Sequence, residues 1–411
     1  MSYDLIVIGG GAAGLMAAGR AGECGARVLL LEKNERVGVK LLLTGKERCN
    51  LTNNISVREM VKAFGSQGKF LFSALSRFDS ASAIDFFTQR GVKIKIEDNN
   101  RAFPVSDKAR DILAVLLDYI RQSQVEVITG AAVKKIVKED NLIKKVVLAD
   151  GREFFAKNYL IATGGKSYPA TGSTGEGYNW LAALGHKVVE PRPALAPIIV
   201  KNKFIKDLEG VSLVGVKFSW QKDERTIDSR TGEAVFTADG LSGPAILAAS
   251  GLVARSLPNV KLSIDFFPDE DLPKLDLRLR NIFSANSNSQ IKNALTGFLP
   301  PKLIPVLLKL VKIAPETRVN QIVKTERQAV LKLFKTFDLD IQKVDGFDKA
   351  MVTTGGVDLK EVDPRAMRSK IISNLFLAGE VLDLDGPTGG FNLQACWSVG
   401  RLAGESAAKK D

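Results

Sequence analysis

The sequence predicts an α/β fold, a central and mostly parallel sheet interrupted by an inserted module, and three observations carry that prediction. Residues 4–32, DLIVIGGGAAGLMAAGRAGECGARVLLLE, read as strand, glycine turn, helix and second strand. A hydrophobic strand ending in glycine recurs at 159–165, YLIATGG, and again at 371–380, IISNLFLAGE. Between those two returns, from 194 to about 345, the pattern changes to short alternating strands and then to helices. Strands of a parallel sheet are covered on both faces, so they appear as near-continuous apolar runs, as DLIVI and RVLLL do.

In the first unit, Gly9, Gly11 and Gly14 occupy the fixed places of G-x-G-x-x-G. Gly9 permits the tight turn, Gly11 lets a pyrophosphate approach the backbone, and Gly14 lets the helix pack close to the strand. The small-residue helix opening at Ala12 and Ala13 and running to about residue 25 points unpaired N–H groups at that phosphate, with its dipole in support. The strand at 27–31 ends on Glu32, whose carboxylate can accept from both hydroxyls of an adenosine ribose and would repel a 2′-phosphate. Lys33 follows beside it. This Rossmann-type unit implies an ADP moiety and leaves FAD and NAD open.

Residues 37–54, VGVKLLLTGKERCNLTNN, lack clean periodicity and are dense in small hydrogen-bonding side chains. A segment of that kind can wrap a long cofactor, with Lys40 and Arg48 offering charge and Thr44, Gly45, Cys49, Asn50, Thr52 and Asn53 further contacts. Residues 69–90 read as one helix, 92–96 as an edge strand and 101–105 as a turn, with Ser106 the N-cap of a helix to about 122. Three short strands are expected at 125–129, 132–138 and 144–148, the second carrying Val133 as a cofactor contact. The strand at 159–161 ends in Ala162, Thr163 and Gly164, where bare backbone meets a ligand again. The loop at 166–178 that follows is expected to face the reacting centre.

Composition narrows the function classes. The chain has 411 residues, 45% hydrophobic and 25% charged, an ordinary globular composition that suits two or three domains. It contains no run of 18 apolar residues and its first residues lead straight into a strand, so the expectation is a cytoplasmic protein without a membrane span. Three cysteines, Cys24, Cys49 and Cys396, lie far apart with no C-x-x-C pair, which argues against a disulfide framework, a zinc site or a redox dithiol. The single histidine, His186, sits between a helix and a strand and reads as structural; no metal site is expected. The net charge of +12, from 58 basic and 46 acidic residues, attracts anions. The basic residues are spread out, however, and the cluster Lys302, Lys309, Lys312, Lys324, Arg327, Lys332 and Lys335 reads as a solvated helix face rather than a nucleic-acid surface.

The closing stretch decides between the dinucleotides. Gly379 and Glu380 end a hydrophobic strand, the arrangement that receives the ribityl chain of FAD on a carboxylate. The run GPTGGFNLQA then opens a helix at Gly390, Phe391, Asn392 and Leu393, whose N–H groups suit the pyrimidine edge of an isoalloxazine ring; Asp385 lies just before. Negative charge on a reduced flavin would find that helix start first, and Lys40 or Arg48 failing it. No second strand-anchored G-x-G-x-x-G exists, so the expectation is one non-covalently held FAD, with NAD(P)H as a transient electron donor.

These stretches together, VIGGGAAGLMAA, KLLLTGKERCNLTN, IATGG, FTADGLSGPAIL, VTTGGV and LAGEVLDLDGPTGGFNLQ, resemble the BaiN-like family of FAD-dependent oxidoreductases over nearly the whole chain. The resemblance implies an FAD domain (1–193 and 350–411) split by a β-barrel-like part (194–270), a helical part (271–337) and a return segment (338–349). It also implies NAD(P)H-linked reduction of an unsaturated small molecule. Two positions depart from the family: its S-G-G-G-R-C-N is here Thr44 to Asn50, TGKERCN, and a histidine usual in F-T-H-x-G-x-S-G-P is here Ala238. No catalytic residue is therefore assigned. The insert, with the loops at 166–178 and 236–244, is expected to cover the flavin. A flavoprotein that acts on or binds tRNA, or a flavin-binding protein without turnover, is the alternative.

Overall fold

Five of the six residues of strand Tyr3–Ile8 are buried, and the strand takes an interior place in a seven-stranded sheet. The structure is a computed structural model and describes residues 2–45 and 47–409; Lys46, in the expected cofactor segment, lies outside them. The chain divides into two units, Met1–Arg192 with Ala350–Asp411, and Pro193–Lys349.

In the first unit the strand order is Val362–Asp363, Arg368–Ser369, Leu375–Leu377, Ala156–Ile161, Tyr3–Ile8, Val28–Leu31 and Glu126–Ile128. The last five are parallel and the first two antiparallel. Ile8 lies opposite both Ile161 and Leu31, so three strands end level and deliver Gly9, Ala162 and Glu32 side by side at one edge. Helices Ala12–Glu23 and Phe391–Ala408 pack against each other so closely that a Cβ on Gly404 would come 2.2 Å from the Ala17 carbonyl oxygen. Small residues on both faces of this crossing make the approach possible.

Several local expectations change. The helix expected over 69–90 is two, Gly68–Arg77 and Ser80–Thr88, because Phe78 leaves the helical region and Asp79 caps the second by accepting from the Ser82 N–H at 2.8 Å. The expected turn at 101–105 is a strand, Arg101–Pro104, paired with Ile94–Glu97 and Thr52–Asn53. Ser106 is not an N-cap: its hydroxyl donates to Asp111, and the helix starts at Ala109 after Lys108. The strand expected at 125–129 leaves the meander and joins the parallel sheet as Glu126–Ile128, beside Val28–Leu31. His186 is buried with Nε2 2.8 Å from the Ser369 hydroxyl, and burial lowers its pKa.

The second unit is a closed barrel in the order Ile198–Val200, Gly240–Ser242, Arg225–Phe236, Ser212–Lys222, Val260–Asp265 and Phe337–Val344. Phe218, Trp220 and Phe236 fill its core. Two elements differ from the sequence reading: a helix, Pro244–Ser256, interrupts the β-rich part, and the return segment begins with the barrel strand Phe337–Val344. The helix is hidden by near-continuous apolar content, which periodicity does not divide between strand and helix, whereas the strand FDLDIQKV carries the alternation of a half-buried strand directly after a helix. Helices Leu272–Ala285, Leu303–Leu310 and Lys324–Lys335 complete the unit. Of the seven cations in the basic helical region, Lys302 is bonded to the Glu209 carbonyl, Arg327 to Asp276 and Lys335 to Asp265. The unit holds 23 basic and 18 acidic residues, a net of +5 within the +12 of the chain, so the positive excess is not concentrated there. Among the described residues no helix is long and apolar enough to cross a membrane, and no group of His, Cys, Asp and Glu could hold a metal ion.

Candidate functional site

The level strand ends open onto a cavity of about 210 Å³ in the first unit. Sixteen of the residues singled out from the sequence line it: Gly9, Gly11, Ala12, Ala13, Glu32, Lys33, Lys40, Thr44, Val133, Ala162, Thr163, Gly164, Gly379, Glu380, Asn392 and Leu393.

At the glycine turn, Gly9 has φ +106°, which an L side chain rarely adopts, and a Cβ on Gly14 would lie 1.9 Å from the Gly9 carbonyl oxygen. Gly11 differs: nothing stands within 4 Å of where its Cβ would be, and the space it faces is the cavity. The helix behind it has neither a capping side chain nor an acidic residue in its first turn, so its leading N–H groups are left for an anion. Glu32 is buried and held from both sides, Oε2 accepting from the Gly10 N–H at 2.7 Å and Oε1 from the Asn34 N–H at 2.8 Å. Each oxygen keeps a lone pair for a hydroxyl.

Further along the cavity, Glu380 is heavily engaged. Its Oε1 accepts from the Ser167 hydroxyl at 2.9 Å and the Thr353 N–H at 2.7 Å, and its Oε2 from Lys40 Nζ at 2.6 Å. Lys40 also donates to Ser167 Oγ at 2.5 Å. Only Oε2 retains room for one more donor, so Glu380 can receive one cofactor hydroxyl rather than several. Cys396 lines the same stretch, and burial, with Glu380 nearby, pushes its thiol up to about 12.

Ten sequence candidates stand off the cavity wall. Gly14 is beneath the turn. Gly45 and Cys49 lie behind Thr44, the Cys49 thiol fully buried and pushed up to about 12 by desolvation. Arg48 stacks on Phe103, 4.2 Å from its centroid, and pairs with Glu97 at 2.5 Å and Asp107 at 2.7 Å. Asn50, with its amide oxygen turned towards Gly390, accepts that residue's N–H at 3.0 Å. Thr52 bonds Gln394 Oε1 at 2.6 Å, and Asn53 bonds the carbonyls of Asn99 and Gly389. Gly390 presses on Thr52, where a Cβ would come 2.3 Å from its carbonyl carbon, and Phe391 meets Phe64 edge-on. Asp385 accepts from the Thr354 hydroxyl at 2.7 Å. Asn50, Thr52 and Asn53 thus brace the start of helix Phe391–Ala408, two of them through backbone groups of Gly389 and Gly390 and the third through the Gln394 side chain, while Thr44 stays on the cavity wall.

The Arg48 network makes an acid-sensitive brace. Arg48 and Lys95 hold Glu97 and Asp107 below the usual carboxylate range. A carboxylate that titrates lower folded than unfolded stabilises above its unfolded pKa, and the contribution is lost as pH falls through the folded value. Asp107→Asn should therefore lower the urea midpoint more at pH 7 than at pH 3, because below the ordinary values of 4.5 and 3.8 the contribution shrinks towards its loss at the lowered folded value. An equal effect at both pH values would assign the loss to packing.

The loop at 166–178 does not lie as expected. Ser167 reaches the Lys40–Glu380 pair, but residues 171–176 cross to the opposite end, where Lys33 Nζ meets Glu176 at 2.5 Å and Asn34 Nδ2 meets the Thr171 carbonyl at 3.0 Å. Sequence reasoning missed the wall residues Asn34, Ser173, Glu176, Trp180, Met351 and Cys396. They belong to no motif; only the loop's glycines hinted at a cofactor contact.

The residues present fit FAD. The open cradle at Gly11, the unclaimed helix start, and a ribose-height carboxylate fixed by two backbone N–H groups are what an adenine dinucleotide requires. The family described as HI0933-like protein Rossmann domain matches residues 3–406. The chain is 32% identical over 411 residues to a 3-dehydro-bile acid delta(4,6)-reductase of Clostridium scindens, covering 98% of each chain. It is 31% identical over 397 residues to a ribosomal RNA dihydrouridine synthase of Escherichia coli K12, covering 96% of each. Among solved structures, a 3-ketosteroid-delta4-(5alpha)-dehydrogenase from Rhodococcus jostii RHA1 shares the fold, with a TM-score of 0.56, 16% identity, and coverage of 100% of this chain and 97% of that one.

Proposed function

The chain belongs to the HI0933-like Rossmann-domain family of FAD-dependent oxidoreductases, and from that premise we propose that it takes hydride from NAD(P)H and saturates a carbon–carbon double bond conjugated to a carbonyl. The observation that carries this reading is one continuous cavity holding the Gly11 cradle, Glu32 and the Lys40–Glu380 pair. Support for the substrate class is that both relatives' names, a delta(4,6)-reductase and a dihydrouridine synthase, denote reductions of such a bond.

FAD supplies the hydride chemistry when bound. The residues of the chain would hold and orient it: the N–H groups of residues 11–13 would receive the pyrophosphate, Glu32 the adenosine ribose, and the free lone pair of Glu380 Oε2 a ribityl hydroxyl. Cys49 and Cys396, both with thiols pushed up to about 12, stay protonated at neutral pH and provide no thiolate for a covalent flavin link. Lys40 stands on the cavity wall with its Nζ clamped by Glu380 and Ser167.

That position makes Lys40 a better test of charge stabilisation than the helix start, since a substitution at Gly390 would disturb packing on Thr52. Lys40→Met should lower the flavin midpoint potential by roughly 30–60 mV, the two-electron equivalent of a charged hydrogen bond worth about 1.5–3 kcal/mol. Lys40→Arg should restore most of it, and an unchanged potential in FAD-loaded Lys40→Met would leave the charge to the helix.

The reading is tested by anaerobic addition of NADH or NADPH to the yellow holoprotein, followed by a panel of acceptors: a 4-en-3-one steroid, an α,β-unsaturated acid and a uridine-containing ribosomal RNA fragment. Bleaching by one dinucleotide and reoxidation by a conjugated acceptor are expected. Bleaching by neither removes the donor; reoxidation by none of the acceptors removes the substrate class. The net charge of +12 favours a second reading in which the double bond belongs to a uridine of ribosomal RNA. Reoxidation by the RNA fragment alone, with an affinity that falls steeply with salt, would establish that reading over the small-molecule one.

A further inference from the structure

We propose that Trp180, with the strap formed by residues 171–176, is the wall on which the adenine base of the dinucleotide rests; the inference depends on the reading that FAD occupies the cavity. Trp180 lines the cavity and lies in helix Glu176–Ala183, one turn on from Glu176, whose carboxylate pairs with Lys33 beside Glu32 and so puts this helix at that end. Glu32 marks the position of the adenosine ribose, and the base is joined directly to that sugar. It must therefore lie among the residues that share this end.

The strap is pinned there by three contacts: Lys33 Nζ to Glu176 Oε1 at 2.5 Å, Lys33 Nζ to Thr174 Oγ1 at 2.7 Å, and Asn34 Nδ2 to the Thr171 carbonyl at 3.0 Å. Gly172 comes so near that a Cβ would stand 2.5 Å from Asn34 Nδ2. On the other side, the Gly130 N–H donates to the Asn34 carbonyl at 3.0 Å and the Ala131 N–H to the Glu32 carbonyl at 2.8 Å, which carries Ala132 and Val133 into the cavity lining. Two walls, one aromatic and one of small apolar side chains, are thus tied to the same strand end.

Their chemistry suits a flat neutral base. The charge of Lys33 is engaged by Glu176, so this end offers no free cation to a phosphate. Among the described residues no hydrogen bond engages the Trp180 indole N–H, and the indole face is what a stacked base would meet. Stacking on an aromatic side chain accepts any base, so the wall supplies affinity while Glu32 supplies the choice of sugar.

Trp220 and Trp397 are fully buried, which makes Trp180 the tryptophan that a ligand in this cavity can touch. The test titrates the apoprotein with ADP, whose base reports on the wall without energy transfer to a flavin, and separately with FAD. ADP should quench indole fluorescence in the wild type and leave Trp180→Phe unchanged. The Kd for FAD should rise roughly 5- to 150-fold in Trp180→Ala and much less in Trp180→Phe, which keeps an aromatic face. Circular dichroism of each apoprotein separates this loss from misfolding, and the ADP experiment on the wild type does not depend on any variant folding. FAD bound normally by Trp180→Ala, or ADP bound without quenching in the wild type, would overturn the assignment. A wild-type protein that binds neither ADP nor FAD would instead overturn the function on which it rests.

Discussion

Gly11→Val is expected to fold as the wild type does and to lose FAD. Gly11 has φ −81° and ψ −172°, extended backbone open to any residue, and no atom lies within 4 Å of its Cβ position. The added side chain therefore meets only the cavity, at the place the pyrophosphate requires. Losing glycine at the N-cap costs some helix stability, and restricting the unfolded chain offsets part of it, so the net change in the apoprotein should stay within about 1 kcal/mol. FAD affinity should fall at least ~100-fold, about 2.7 kcal/mol. Gly14→Ala is the contrasting case. Its Cβ would stand 1.9 Å from the Gly9 carbonyl oxygen, so the apoprotein itself should lose about 1–3 kcal/mol from overpacking. Thermal unfolding of the apoproteins beside FAD titrations separates the two; a Gly11→Val protein that stays yellow would place the pyrophosphate elsewhere.

Glu32→Ala should weaken FAD binding and also destabilise the apoprotein. The carboxylate does two things at once, offering lone pairs to the sugar and holding the N–H groups of Gly10 and Asn34 at 2.7 and 2.8 Å. A charge-assisted hydrogen bond contributes about 1.5–3 kcal/mol to FAD binding, and a buried donor left unpaired costs the apoprotein itself about 1–3 kcal/mol, less where water enters the gap. Glu32→Gln should fall between, because one amide oxygen can still accept while its NH₂ faces a backbone donor. Gel filtration with FAD quantified in the protein peak, together with apoprotein unfolding, measures both parts. FAD affinity unchanged in Glu32→Ala would remove the ribose from this end of the cavity.

The two positions were legible for the same reason. Gly11 and Glu32 come to the cavity wall through their spacing along one strand–turn–helix–strand unit, whose strands pair in register at Ile8 and Leu31. Arg48 shows the opposite case. Its sequence neighbourhood suggested a cofactor contact, but Glu97 and Asp107 lie about fifty residues further on and neutralise it. Asn50, Thr52 and Asn53 similarly find partners near Gly390, Gln394 and Gly389. Trp180 had no signal at all, since a tryptophan in a short helix is as well suited to a core as to a ligand.

By itself the sequence determined the α/β class, the strand–turn–helix–strand unit at 4–32 and the family, because these rest on apolar runs and glycine spacings whose steric consequences are local. The tertiary structure alone decided which polar side chains face the cavity and which brace the helix behind it. That choice is a competition among hydrogen-bond partners brought together from distant parts of the chain, and a buried donor or acceptor goes to whichever partner the packing places within reach.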